Sequence, residues 1–340
     1  MSPFALAAAI IGIALTFDFI NGFHDAANSV ATVVATRVLT PLQAVAWAAF
    51  FNFVSAFTFG TGVAGTVGTG FVDVHLVTLS VITAGLMGAI AWDLITWWLG
   101  LPTSSSHALI GGYAGAAMAH AALQLGARRA LDGLVVGQWP KTLAFIVLAP
   151  VLGLVLAYML MVAVYWLFRK YTPYNMDKHF RRLQLVSAGL YSFAHGTNDA
   201  QKTMGIITGV LVTSGHLRSF LVPIWVVLAA HAAIAMGTMC GGWRIVHTMG
   251  TRLTRLKPRS GFCAETAAAA SILFATFLKQ PVSTTHVIAG SIVGVGSIQR
   301  LKAVRWGLAS NIVWAWVFTI PASASMAALA YLGVQLFMGR

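Results

Sequence analysis

Apolar residues run along the chain in blocks of bilayer length, separated by short polar stretches. The blocks fall at 3–37, 41–60, 76–100, 102–120 and 141–168, then at 184–213, 219–240, 262–279, 281–297 and 304–338. About 20 apolar residues carry a helix across the hydrocarbon of a bilayer, so each block predicts a membrane helix. The blocks at 3–37 and 184–213 exceed that length and contain Gly and small polar residues, which predicts broken helices or re-entrant hairpins there. Inside lipid only helices and closed barrels satisfy the backbone. The pattern therefore predicts an all-α polytopic membrane protein with about ten to twelve transmembrane segments.

Composition strengthens this expectation. The chain has 340 residues, of which 58% are hydrophobic and only 9% charged, against about 25% charged in soluble domains. The opening run is followed by further blocks and lacks a small-residue cleavage site, so it is expected to remain as a first helix. Cys240 and Cys263 are too few for a disulfide framework and have no metal-type spacing. Trp97, Trp98, Trp225 and Trp243 stand toward block ends, as interfacial anchors do. The glycines between Gly60 and Gly70 read as a flexible outer segment, with no strand or helix context for a phosphate loop.

A net charge of +13 changes the picture only through its distribution. Arg169, Lys170, Lys178, Arg181 and Arg182 lie in one loop, and Arg244, Arg252, Arg255, Lys257 and Arg259 in another. Arg300, Lys302 and Arg305 lie in a third. With the N-terminus outside and one crossing per block, all three face the cytoplasm, as Lys and Arg do in membrane proteins. Arg128 and Arg129 dissent. The basic residues are thus accounted for by topology, and nucleic acid is not an expected partner.

The chain also repeats itself. NGFHDAANSV at 21–30 aligns with HGTNDAQKTM at 195–204, and PTSSSHALIGG at 102–112 aligns with PVSTTHVIAGS at 281–291. The offsets, 174 and 179 residues, are nearly equal and keep the same order. Five blocks precede the second copy, and an odd number inverts it. This predicts two inverted-topology repeats, residues 1–168 and 184–340, joined by a basic cytoplasmic linker at 169–183. In such transporters the site lies near the bilayer midplane, between interrupted helices.

Five of the eight acidic residues lie in or beside apolar blocks, where a charge costs about 2.5–3.5 kcal/mol at a helix centre. Asp25 and Asp199 are equivalent by the repeat and point to cation coordination or proton relay, with helix capping as the plainer role. Asp18 and Asp93 have no such mates and suit packing or an interface. Glu265 follows a basic loop, where its charge also suits a helix start. The runs Ser104-Ser105-Ser106-His107 and Ser283-Thr284-Thr285-His286 each follow a proline. Proline opens a helix at its first turn, and hydroxyls beside free N–H groups favour a tetrahedral oxyanion. Hydroxyls bonded to helix carbonyls are the plainer role. His107 and His286 suit structural donation, proton carriage or anion contact. No orienting group for a Ser–His nucleophile can be identified, so an enzyme is not expected.

At these motifs the sequence resembles the inorganic phosphate transporter (PiT) family of sodium- or proton-coupled symporters. Its signature, Gly-x-Asn-Asp-x-Ala-Asn followed by Pro-x-Ser-x-Thr-His, stands here as GFHDAANS with PTSSSH and as HGTNDAQKT with PVSTTH. The resemblance spans nearly the whole chain, in the short bacterial form without a long central hydrophilic loop. It implies uptake of inorganic phosphate through the inner membrane by alternating access. Substrate contacts are expected at Ser104, Ser105, Ser106, Ser283, Thr284, Thr285, Asn198 and Lys202. Coupling is expected at Asp25, Asn28, Asp199, His24 and Glu265. No cofactor is implied beyond a sodium ion or proton as coupling ion, with sodium, where bound, at Asp25, Asn28 and Asp199. Membrane lipid is an expected partner, and a homodimer is admitted. A sulfate permease of the same architecture, a passive anion channel and a membrane scaffold remain as alternatives.

Two departures stand out: His24 and Lys202 occupy positions where the signature has Asn. Lys202 either sits near the substrate or Asp199, taking part of a bound cation's role, or reaches an interface.

Overall fold

The computed structural model describes residues 2–58, 60–299 and 301–337. Among them no strand forms, and a lone bridge joins Val72 to Leu134. Twelve helices follow in order: α1 (Pro3–Ala35), α2 (Pro41–Val54), α3 (Gly62–Thr69), α4 (Leu79–Leu99), α5 (Ser105–Leu125), α6 (Trp139–Leu167), α7 (Pro173–Thr213), α8 (Ile224–Cys240), α9 (Trp243–His247), α10 (Pro258–Phe277), α11 (Thr284–Gln299) and α12 (Trp306–Phe337). Hydroxyl caps and prolines set several starts. Ser2, Thr40 and Thr172 cap helices whose first residue is proline, and Thr78 caps α4.

The long blocks at 3–37 and 184–213 do not break. α1 and α7 are continuous helices of 33 and 41 residues. Their glycines serve close approach instead: a methyl on Gly22 would stand 2.1 Å from Ile234 O on α8, and one on Gly196 2.7 Å from Asn52 O on α2. Small residues let helix backbones meet in membranes, where burying apolar surface gives no driving force. Residues 173–183, expected in a linker, form the first turns of α7. The glycine-bearing segment after α2 holds the short helix α3 rather than a flexible loop.

Interruptions occur elsewhere. α2 and α3 meet at 88°, and α8 meets the helical stretch Trp243–Arg252 at 62°. α4 and α5 pack on each other as a hairpin, as do α10 and α11. Their tips are the non-helical stretches 101–104 and 280–283. Each first arm ends on a left-handed residue, Gly100 (φ 67°) or Lys279 (φ 57°), which turns the chain into the tip. The tips are buried among the helices, and their backbone groups find partners: Trp316 Nε1 donates to Pro102 O (2.9 Å), and Val282 N donates to Asn198 Oδ1 (3.3 Å).

α1 and α7 cross in the middle. α1 packs on α8 and α4, while α7 packs on α2, α3 and α10. The last helix of each half crosses over: α6 lies on α10 and α11, and α12 lies on α4 and α5. The outer faces of α6 and α12 carry exposed Val147, Val151, Met159, Trp314, Val317 and Phe318, a surface suited to lipid and not to water.

Among the described residues five helices (α1, α4, α6, α10 and α12) are long and apolar enough to cross a membrane, and up to seven spans result if each bent pair counts once. The ten to twelve segments expected from the blocks also include α5, α7 and α11. These carry the polar motifs, and much of their wall is protein, so they need less apolar character. The protein is a multi-pass helical membrane protein.

Candidate functional site

Asp25 on α1 and Asp199 on α7 face each other across the α1–α7 crossing, both buried. His195 stands one helical turn before Asp199. Its Nε2 lies 3.4 Å from Asp199 Oδ2 and 3.9 Å from Asp25 Oδ2. Thr284, the first residue of α11, brings its hydroxyl 3.4 Å from Asp25 Oδ2 and 3.3 Å from Asp199 Oδ2. One hydroxyl carries one proton and donates to one of the two at a time. Asp25, His195 and Asp199 each present a ligand atom within 4.8 Å of the others, a grouping that fits a cation. The bent pairs hold the imidazole: His195 Nδ1 lies 3.2 Å from Asn52 Oδ1, and the Asn52 amide donates to Thr238 Oγ1 (2.9 Å).

Each carboxylate has its own set of neighbours. Thr285 Oγ1 lies 3.4 Å from both oxygens of Asp25 and accepts from the Asn28 amide at 2.8 Å. His24 Nδ1 lies 2.9 Å from Asp25 Oδ1, and its Nε2 is steadied by Thr96 (3.1 Å) and Thr103 (3.4 Å). Beside Asp199, the Lys202 ammonium donates to Asp199 Oδ1 (2.5 Å), to Val282 O (2.9 Å) and to Ser106 Oγ. Lys202 is buried and does not reach an interface. Asn198 turns to the second tip, donating to Thr276 Oγ1 (2.8 Å) and Gln280 O (3.2 Å).

The hydroxyl runs open α5 and α11, as the prolines suggest. Ser104 Oγ accepts from His107 N and Ser283 Oγ from His286 N, each at 3.2 Å, so these two hydroxyls cap their helices. Ser105 Oγ is buried beside the Asp93 carboxyl, and Ser106 also donates to Val282 O (3.4 Å). The His107 and His286 rings meet edge to face with centroids 4.8 Å apart, joining the two hairpins rather than contacting the carboxylates. Two helix N-termini therefore point at the charged centre, where their dipoles favour an anion.

Glu265 is not brought to this centre. On α10 it accepts from Thr32 (2.6 Å), Gln184 (2.9 Å) and Ser187 (2.5 Å), pinning α10 to α1 and α7. Asp18 and Asp93 are fully buried, not interfacial; Thr203 and Asn21 stand beside the Asp18 carboxyl and Ser105 beside that of Asp93. The residue missed from sequence is His195. It opens the second motif four residues before Asp199, but its mate in the first copy is Asn21, and matching by identity passes over it. Thr96 and Thr276, which hold His24 and Asn198, lie outside both motifs. Gln201 also escaped notice; its side chain accepts from Val63 N (2.9 Å) at the start of α3.

A charged, hydroxyl-rich centre walled by helices from both halves, beneath an apolar outer face, defines a membrane transport protein rather than an enzyme. Comparison with known proteins gives the family. The sequence model PHO4, described as the phosphate transporter family, matches residues 21–327. A Rhizobium meliloti (strain 1021) protein named "Probable low-affinity inorganic phosphate transporter" is 54% identical over 334 residues, covering 98% of each chain. A Bacillus subtilis (strain 168) protein of the same name is 46% identical, covering 95% of each. A solved structure named "The sodium-dependent phosphate transporter" shares the fold with a TM-score of 0.86 at 23% identity, over 98% of this chain and 99% of that one. The chain belongs to the phosphate transporter family, as the paired motifs implied.

Proposed function

We propose that the protein is a symporter that imports inorganic phosphate across the inner membrane by alternating access, driven by a proton or sodium gradient, with its N-terminus outside. The observation that carries this reading is the Thr284 hydroxyl between Asp25 and Asp199, because it joins acidic residues of both halves to a helix N-terminus. The names of the close relatives support phosphate as substrate. The sodium dependence named for the structural neighbour is compatible with sodium as one driver. Matching element order, mirrored motif contacts and crossed last helices support two inverted repeats, the first within residues 1–168 and the second opening with α7 at Pro173 rather than at residue 184.

The chemistry explains why a cation must accompany the anion. A phosphate dianion at the first turns of α5 and α11 gains from the helix dipoles. It is repelled by any carboxylate left uncompensated nearby. Lys202 offsets Asp199. Asp25 needs a proton or a cation, for which His24, His195 and Thr285 stand at hand. Coupling is then the neutralisation of Asp25 on loading and its release on the other side.

Proteoliposomes containing the purified protein test this reading. Labelled phosphate should accumulate against its gradient when sodium or protons are imposed inward, and excess sulfate should leave uptake unchanged. Asp25→Asn and Asp199→Asn should lower uptake at least about a hundredfold while inserting normally, the scale expected when a buried charge pair is opened. Normal accumulation by either variant overturns the site, and sulfate taken up in place of phosphate overturns the substrate.

A further inference from the structure

The two halves present the same hydroxyl–carboxylate pair in different electrical states. In one, Thr285 stands directly on Asp25 at 3.4 Å, and the neutral amide of Asn28 donates to Thr285. In the other, the repeat places Ser106 opposite Asp199, and an ammonium is inserted between them. Lys202 Nζ reaches Asp199 Oδ1 at 2.5 Å, Val282 O at 2.9 Å and Ser106 Oγ. Asn28 and Lys202 occupy equivalent positions in the aligned motifs.

An ammonium has three donors and no acceptor. Here all three are taken by a carboxylate, a backbone carbonyl and a hydroxyl, an oxygen set of the kind that binds hard cations. No N–H remains to offer the anion, so the substrate contact expected of Lys202 is not available in this arrangement. The charge is nonetheless held where a small cation would lie, and it is tethered to α7, so it is never released. Nor is the side chain easily spared. Without the ammonium, the fully buried Asp199 would keep only His195 and the Thr284 hydroxyl beside it.

We propose that Lys202 is a built-in cation that replaces one free monovalent cation at the Asp199 side of the site, so that each phosphate moves with one mobile positive charge fewer than a site with a neutral residue there. This deepens the proposed symport and rests on it. Lys202 thereby sets the coupling ratio rather than the substrate.

The experiment compares wild type with Lys202→Asn, the residue of the equivalent position, and with Lys202→Arg in proteoliposomes. The membrane potential that just balances a phosphate gradient gives the charge moved per phosphate. Lys202→Asn should raise that ratio by one and acquire a steeper sodium dependence than wild type, whereas Lys202→Arg should keep the wild-type ratio. An unchanged ratio and sodium dependence in Lys202→Asn overturn the proposal. Should that variant fail to transport, melting of the detergent-purified proteins against sodium chloride decides, with choline chloride as the ionic-strength control. A variant Tm that climbs with sodium faster than that of wild type supports the built-in cation, because a ligand of the native state stabilises it by mass action. Parallel slopes overturn it. If wild type moves no phosphate uphill under any gradient, the symport reading falls, and the melting comparison still tests Lys202.

Discussion

Glu265 and Lys202 show how buried charges in one membrane protein separate into support and machinery. Glu265 accepts from three donors on two helices and has no contact with the central carboxylates. A glutamine in its place keeps an oxygen for Thr32 and Gln184, and its amide can donate to Ser187, whose hydroxyl already leans toward Gln184 O (3.2 Å). Glu265→Gln should therefore melt within about 1 kcal/mol of wild type, whereas Glu265→Ala, which orphans three donors and leaves a cavity, should cost roughly 2–4 kcal/mol. Thermal unfolding in detergent measures both. A changed sodium or pH dependence of uptake in Glu265→Gln would return this residue to the coupling set. From sequence, Glu265 and Asp25 look alike, each an acid in oil. Symmetry separates them, because only Asp25 has a mate. His195 was hidden for the converse reason: its mate Asn21 is chemically different, though a polar residue four positions before an intramembrane Asp shares its helical face.

At the scale of elements, glycine is the residue that pattern reading interprets least well. In water-soluble helices it signals a break, and that expectation placed interruptions at 3–37 and 184–213. In lipid the same residues let α1 and α7 touch their neighbours, and the chain turns instead at Gly100 and Lys279. The hairpins α4–α5 and α10–α11 were legible only in part, through the prolines and hydroxyl caps of their second arms. The left-handed turn at Lys279 had no marker in its residue type. Gly237 tests the packing argument. A methyl there would stand 1.9 Å from Phe19 O, so α8 would have to move off α1. Gly237→Val should cost more than about 2 kcal/mol and reduce the monodisperse fraction on size-exclusion chromatography. Gly12→Ala, with nothing within 4 Å, should behave as wild type. Equal behaviour of the two variants would refute close α1–α8 contact.

For the whole molecule, the basic loops and the odd number of blocks carried the argument for orientation, and the doubled motifs carried the argument for the repeat. Which helix covers which hairpin was not readable, because lipid-facing and hairpin-facing apolar residues look the same in sequence. Orientation is open to a direct check. In a background with Cys240 and Cys263 replaced by serine, a cysteine introduced at Ser214 should react with a membrane-impermeant maleimide on intact cells. One introduced at Arg255 should react only after permeabilisation, and the reverse pattern would turn the protein over. The crossed packing of α6 and α12 has a further consequence, for synthesis rather than transport. The first hairpin, with its polar tip, leaves the ribosome long before α12, which will cover it, has been made. Until then the nascent chain must shelter Ser105 and Ser106 with whatever insertion machinery or water is at hand. Neither half is a finished object, and a helix made late closes the first site to be built.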